Sequence, residues 1–193
     1  MFGPDQLGVA SVFVMTAEGV ATTSEDTSPG VATSERVAVR SFGLAAVAGL
    51  LHALPSLYWA LGGTWLLDTV GEWAVQLQQG PRQQVLLMMV PVFLVKACAA
   101  VVPWLDHRRP PAHRWVRVVS WCGATVLVLW GAAGMVGAWI GIAMGTGGAG
   151  GITPSQVGHG FIWDPLFVLW GALLAHGLWR SRGWTRTAAG TRA

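Results

Sequence analysis

One lysine and one histidine lie where the chain is otherwise apolar. Lys96 is the only lysine among the 193 residues, and it lies inside an apolar run, as does His52. A lysine near the middle of a bilayer costs at least about 2.5–3.5 kcal/mol on insertion scales, so it must face a partner, a ligand or water. A neutral imidazole at the same depth can accept a hydrogen bond from the ammonium. We therefore interpret His52 and Lys96 as the middle of a candidate polar centre.

Three carboxylates are candidate partners for Lys96. Asp68 and Glu72 are four residues apart and would share one helical face, just after a glycine pair that could turn them back toward the bundle. Asp164 begins the last apolar run, on a stripe of small residues that would face a neighbouring helix. The alternatives for the carboxylates are structural: a solvated helix face for the first two and a helix-terminal carboxylate beside Pro165 for the third.

For Lys96 the alternative is a structural ion pair or a hydrogen-bonded ammonium that ties its helix to the neighbouring helices. For His52 the alternative is an imidazole that bonds a neighbouring backbone carbonyl.

Small residues repeat on the third apolar run. Gly137, Gly141 and Gly145 are spaced every four residues, a pattern that permits close approach of two membrane helices. The spacing does not distinguish a helix of the same chain from a second copy, so a homo-oligomer is one expected partner.

The composition indicates a protein covered in part by lipid. Hydrophobic residues make up 53% of the chain and charged residues only 11%, against about 25% in soluble domains. Twelve tryptophans accompany a single tyrosine, and indole favours the boundary between headgroups and acyl chains. The bilayer is therefore the expected partner. The arginines lie at the ends of apolar runs, which argues against a nucleic-acid surface.

The apolar runs predict an all-α fold, a four-helix transmembrane bundle. About 20 apolar residues cross the ~30 Å of hydrocarbon in a bilayer. Between the first two spans, an amphipathic segment at 64–79 predicts a short helix in the outer interface. We expect a disordered N-terminal tail at 1–40, a membrane domain at 41–183 and a basic tail at 184–193. The predicted spans are about 42–61, 84–105, 116–144 and 161–179, with a glycine-rich loop at 145–160 before the last.

The distribution of arginine predicts the orientation. With four spans, ten arginines fall on the side that holds both termini and the middle loop, whereas the opposite side holds only Arg82. Because cytoplasmic loops are enriched in basic residues, we expect both termini in the cytoplasm. The excess of arginine over lysine, with abundant Ala, Gly and Val, is typical of a bacterial protein, so the expected location is the plasma membrane.

The sequence contains no recognisable cofactor or metal site. Cys98 and Cys122 form no CxxC pair and have no metal-ligand spacing, so we expect them to be buried small hydrophobic residues. No catalytic constellation is evident either. We predict no cofactor, no metal and no catalytic residue.

Several short motifs resemble those of an uncharacterised group of small bacterial four-pass membrane proteins, a domain of unknown function. The resemblance covers roughly residues 42–182 and implies topology and bacterial origin, without an activity. The motifs are His52-Ala53-Leu54, Tyr58-Trp59-Ala60-Leu61-Gly62-Gly63, Leu67-Asp68 with Glu72, Trp163-Asp164-Pro165 and Trp170-Gly171.

Three functions remain open from the sequence. The first is a structural or ligand-binding membrane protein with a buried polar centre around Lys96. The second is a proton-coupled transporter or channel component that uses His52, Lys96 and an outer carboxylate. The third is a membrane enzyme acting on a lipid or quinone, with a site between tryptophans.

Overall fold

The fold was analysed in a computed structural model, which describes residues 29–109, 111–147 and 151–182. The chain divides into two compact units, Met1–Ala32 and Thr33–Ala193. The first unit is described only from residue 29, where the first helix begins. All contacts discussed below lie within the second unit.

Six α-helices and one π-helical turn make up the described part of the chain, and that part contains no β-strand. Four stretches are long and apolar enough to cross a membrane: Ala32–Ala60, Arg82–Arg108, Arg114–Ala143 and Pro154–Arg180. The predicted all-α fold with four transmembrane helices is therefore confirmed. The elements are α1 (Pro29–Ala60), α2 (Glu72–Gln79), α3 (Arg82–Arg108), α4 (Arg114–Ala143), α5 (Pro154–Gly158), the π-turn (His159–Trp163) and α6 (Asp164–Arg180).

The first helix begins well before the predicted span. Residues 29–40, expected as part of a disordered tail, are helical, whereas residues 1–28 and the basic tail at 184–193 lie outside the described residues. Proline is favoured in the first turn of a helix, where its missing N–H is not needed. Further along, Ala38 is fully buried, and Ser41 lies 2.9 Å from both Val37 O and His176 Nδ1. Packing therefore stabilises helical turns before the predicted span, although hydropathy alone does not predict a helix there.

The helix after the first span is shorter than expected. The amphipathic pattern predicted a helix over 64–79, but α2 covers only Glu72–Gln79, and consecutive turns precede it. The backbone explains the difference, because φ is positive at Gly62 (101°), Leu66 (58°) and Gly71 (128°). These left-handed conformations are incompatible with a right-handed helix.

The last span is extended at its N-terminal end. Part of the predicted glycine-rich loop at 145–160 forms α5, which begins with a reciprocal cap: Gln156 N donates to Thr153 Oγ1 (3.2 Å) and Thr153 N donates to Gln156 Oε1 (2.9 Å). Such a capping box satisfies two backbone donors at the start of a helix. The π-turn then joins α5 to α6 without a break.

Glycines bring α4 and α6 into close contact, but they are not the predicted ones. A Cβ at Gly131 would collide with Asp164 O and Phe167, and one at Gly171 would collide with Ala124 O. Of the predicted set, Gly137 faces open space, Gly141 lies beside Gln156, and Gly145 follows the end of α4 with φ of 66°. The close helix approach within the chain therefore uses other small residues.

Two apolar clusters form the core, one toward each end of the bundle. The first cluster is centred on Phe42, Trp170 and Leu178, and the second on Trp59, Val85 and Trp163. Large apolar side chains cover the outer faces, among them Leu87, Val95, Val119, Leu129 and Trp130. Cys98 and Cys122 are also exposed, so the prediction that they are buried is wrong. In a bilayer these outer faces would contact lipid.

Candidate functional site

The candidate polar centre is built from α1 and α3. Lys96 lies near the middle of α3, and its Nζ donates a hydrogen bond of 3.2 Å to Ser56 Oγ on α1. Ser56 is only 1% exposed, and Lys96 is half-buried. Within the described ranges, no carboxylate oxygen comes within 4.0 Å of the ammonium. Lys96 is therefore held by a neutral hydroxyl and keeps further donor capacity.

His52 lies one helical turn before Ser56 and belongs to the same group. Its ring is buried and stacks on Phe167, with 3.8 Å between ring centroids and 28° between planes. Neither ring nitrogen reaches a hydrogen-bond partner in another described residue. Lys96 thus contacts α1 one turn from His52, through Ser56. The sequence left open an imidazole acceptor for the ammonium and a backbone-carbonyl partner for the imidazole, and the ammonium donates to a serine hydroxyl.

The predicted outer carboxylates do not join this group. Asp68 and Glu72 are exposed, in the turns after α1 and at the first residue of α2. In the described part of the chain neither forms an ion pair with Lys96. The segment that carries them does not turn back to the middle of the bundle, so their place in the polar centre is not supported by the geometry.

Asp164 is buried, but its partner is His159 and not Lys96. The carboxylate is 2% exposed, and its Oδ2 lies 3.0 Å from His159 Nδ1. The two residues are five positions apart, which the π-turn His159–Trp163 places on one side. A Cβ at Gly134 of α4 would collide with the same carboxylate, so α4 packs directly against it. Asp164 therefore faces α4 and forms no ion pair with Lys96 among the described residues.

The other nitrogen of His159 contacts the turns after α1. His159 Nε2 lies 3.3 Å from Val70 O, and a carbonyl oxygen only accepts, so a hydrogen bond here is donated by Nε2. With Nδ1 beside the Asp164 carboxylate, the imidazole links α6 to the turns after α1.

His159 was missed in the sequence because it falls in a segment expected to be a glycine-rich loop. A histidine and an aspartate five positions apart do not share a face of an α-helix, for which the neighbouring positions are three and four apart. The only signal available was the polar pair itself, within an otherwise apolar stretch.

A cavity of about 260 Å³ lies where α1 ends. Its walls are aromatic and apolar, and hydrogen bonds fix two of the indoles: Trp59 Nε1 donates to Trp65 O and Trp163 Nε1 donates to Thr69 Oγ1, both at 3.0 Å. Because both indole N–H groups already donate hydrogen bonds within the protein, the cavity walls offer mainly aromatic ring surface to a bound ligand. The lining residues are Leu54, Pro55, Tyr58, Trp59, Trp65, Leu66 and Trp163.

No group of three or more His, Cys, Asp or Glu residues that could hold a metal ion occurs among residues 29–109, 111–147 and 151–182. The polar centre itself presents the side chains of Lys96, Ser56 and His52. An ammonium, a hydroxyl and an imidazole can exchange protons and can bind an anionic group.

Comparison with known proteins assigns the chain to a family. No curated protein and no solved structure matches the chain. The family described as "Protein of unknown function (DUF3995)" matches residues 49–174, more than half of the chain. The matched region includes His52, Lys96, His159 and Asp164. The predicted resemblance to an uncharacterised family is confirmed, and the chain belongs to this family of unknown function.

Proposed function

We propose that the protein is a ligand-binding protein of the bacterial plasma membrane, with both termini in the cytoplasm. Ten arginines lie on the side of the termini and of the loop between α3 and α4, and Arg82 alone lies on the other. This asymmetry supports the orientation, because basic residues accumulate in cytoplasmic loops. The arginine-rich, lysine-poor composition supports a bacterial origin.

The hydrogen bond from Lys96 to Ser56 is the observation that carries the ligand-binding role. A lysine near the bilayer centre costs at least about 2.5–3.5 kcal/mol, even on the mildest scale. A hydrogen bond between membrane helices returns about 0.6 kcal/mol on average, with a maximum near 1.7. The bond to Ser56 thus cannot offset the cost of the charge. A purely structural role for Lys96 is disfavoured, and an anionic group that enters from the membrane would supply the missing interaction.

The single lysine makes this proposal directly testable. Protein labelled with 15N only at lysine has one side-chain signal, that of Lys96 Nζ. We expect added oleate, a membrane-soluble carboxylate, to shift this signal in a saturable way, and oleyl alcohol to leave it unchanged. Ser56→Ala should move the signal before any addition, which verifies the assignment to the polar centre. Identical titrations with oleate and oleyl alcohol would contradict an anion-binding role.

Proton-linked transport is the second candidate, and the unpartnered nitrogens of buried His52 favour it. An imidazole one turn from the Lys96–Ser56 bond can pass a proton without breaking a hydrogen bond to another residue. In liposomes with an internal pH-sensitive dye, the wild type should then relax a pH gradient faster than folded Lys96→Met or His52→Phe protein. Equal rates for all three proteins exclude this second function without affecting the first.

Self-association is proposed as a property of the outer face of α4. A Cβ at Gly137 would meet no atom outside its own stretch of helix within 4 Å among the described residues, so a second copy can approach the backbone there. Trp130 and Trp139 are exposed on the same helix. Light scattering of the purified protein in detergent, with Gly137→Leu as the disrupting variant, measures this association.

A further inference from the structure

An apolar groove of about 340 Å³ runs between α3 and α4, with α6 as its floor. The volume is comparable to small-molecule sites of roughly 300–1,000 Å³. Cys98 and Val102 lie on one wall and Trp115 and Val119 on the other, and all four are exposed. Trp170 and Leu174 of α6 close the bottom and are buried. The groove is therefore open along its length to whatever surrounds the bundle.

The dimensions of the groove match one half of a bilayer. Along α4 it extends from Trp115 to Leu127, a distance of about 18 Å at ~1.5 Å per residue. Half of a ~30 Å hydrocarbon layer is about 15 Å. An acyl chain of one leaflet fits this length. The lining residues are wholly apolar apart from Ser120, Cys98 and the indoles of Trp115 and Trp170.

One end of the groove is strongly basic. Arg108 and Arg109 end α3, Arg114 is the first residue of α4, and all three side chains are exposed. The nearby acid, Asp106, is occupied: the backbone N–H and Nδ1 of His113 both lie within hydrogen-bond distance of its carboxylate. The end of the groove thus carries an excess of positive charge, beside the end of a predicted span, where lipid headgroups are expected.

We propose that the groove binds one acyl chain of an anionic phospholipid, whose phosphate lies between Arg109 and Arg114. Arginine suits this role because its guanidinium presents several N–H donors to phosphate oxygens in a fixed planar geometry. Basic groups at a membrane surface favour anionic over zwitterionic lipids. The site is independent of Lys96 and of the ligand proposed for the polar centre.

Two variants of α4 test the groove. A Cβ at Gly123, which lines the groove, has no contact within 4 Å among the described residues, so Gly123→Leu extends a side chain into the groove. The control is Thr125→Leu, at an exposed position of α4 that does not line the groove. Binding of phosphatidylglycerol to the full chain in nonionic detergent is measured by native mass spectrometry.

We expect Gly123→Leu to weaken phosphatidylglycerol binding at least tenfold and Thr125→Leu to leave it within twofold. Equal binding by the two variants overturns the proposal. A change in oligomeric state with Gly123→Leu, measured by light scattering, also overturns it, because the groove would then be an interface between copies of the chain.

Two pairs of arginines test the headgroup. The double variant Arg109→Gln/Arg114→Gln should lose at least about tenfold in affinity for phosphatidylglycerol, the effect expected from two basic groups at a membrane surface, and should leave phosphatidylcholine unchanged. The control Arg36→Gln/Arg40→Gln removes the same charge from α1. Equal losses of affinity in both double variants would attribute the preference for phosphatidylglycerol to the basic surface in general, and would overturn the proposed site.

The cysteines report the position of the bound lipid. Cys98 lines the groove and Cys122 does not, and both are free and exposed. In single-cysteine variants made by Cys122→Ser or Cys98→Ser, phosphatidylglycerol should slow the reaction of Cys98 with N-ethylmaleimide severalfold and leave Cys122 unaffected. Equal protection of both thiols indicates general lipid coverage and contradicts a defined site.

Discussion

His159 and Asp164 lie one π-turn apart, with 3.0 Å between Nδ1 of the imidazole and Oδ2 of a carboxylate that is almost completely buried. The same imidazole bonds Val70 O through its other nitrogen, so the pair connects α6 to the turns after α1. Its position against α4 at Gly134 makes it a junction of three parts of the chain.

His159→Phe is expected to destabilise the protein by about 2 kcal/mol. His159→Phe leaves the buried Asp164 carboxyl group without its side-chain partner, and an unsatisfied buried polar group costs about 1–3 kcal/mol. The measurement is the unfolding free energy from an SDS titration in mixed micelles, followed by tryptophan fluorescence. His113→Phe is the control, since it removes an imidazole that is 66% exposed from Asp106 and should cost at most about 1 kcal/mol. Similar losses of unfolding free energy in both variants would show that the His159–Asp164 pair stabilises the protein no more than the exposed His113–Asp106 pair does.

Gly134→Ala and Gly137→Ala should have opposite effects on stability. A methyl group at Gly134 collides with the Asp164 carboxylate, whereas one at Gly137 meets nothing. In the second case alanine gains about 0.8–1 kcal/mol of helix propensity over glycine. We expect Gly134→Ala to lower the midpoint of thermal unfolding in detergent and Gly137→Ala to keep or raise it. A tolerated Gly134→Ala would mean that the carboxylate can move away from α4.

The spans were predictable because each is a long apolar run, and the differences arise where local backbone or packing decides. The turns at 64–71 follow from positive φ at Gly62, Leu66 and Gly71, which a hydrophobic pattern does not reveal. The early start of α1 depends on contacts such as that between Ser41 and His176, 135 residues apart. A local hydrophobic pattern reveals neither the positive φ values nor this contact between distant residues.

The helices that carry the polar centre were predictable, but its contacts were not. Counting residues placed His52 and Lys96 near the middle of two spans, and the structure bonds Lys96 to Ser56, one turn from His52. Ser56 was missed although it lies four residues after His52 on the same face, because a serine in a membrane helix usually bonds its own backbone. The sequence predicted that Asp164 faces a neighbouring helix, and the structure places it against α4. Its side-chain partner, His159, was not predictable because the π-turn sets the spacing between the two residues.

Trp170→Phe should be tolerated better than Trp163→Phe. The indole N–H of Trp170 is buried and reaches no hydrogen-bond acceptor among the described residues, whereas that of Trp163 donates to Thr69 Oγ1 at 3.0 Å. An unsatisfied buried donor costs about 1–3 kcal/mol, so its removal offsets much of the packing lost with the smaller ring. Unfolding free energies from SDS titration should show a smaller loss for Trp170→Phe by at least ~1 kcal/mol. The reverse order would indicate a partner for Trp170 outside the described residues.

Lys96→Met should stabilise the protein by about 1–2 kcal/mol. Methionine removes a charge that costs at least about 2.5–3.5 kcal/mol near the bilayer centre, and it forfeits a hydrogen bond to Ser56 worth about 0.6–1.7 kcal/mol. The unfolding free energy is measured by the same SDS titration, alongside the amount of protein in the membrane fraction.

Ser56→Ala separates the two contributions to this prediction. It removes the hydroxyl and keeps the ammonium, so it should destabilise the protein, because the charge then loses the neighbour seen in the structure. Lys96→Met/Ser56→Ala should resemble Lys96→Met, since Ser56 has little left to stabilise. If Lys96→Met instead destabilises the protein by more than the value of one hydrogen bond, the ammonium has a strong structural partner. The proposal that Lys96 is retained for an anionic ligand would then lose its energetic basis.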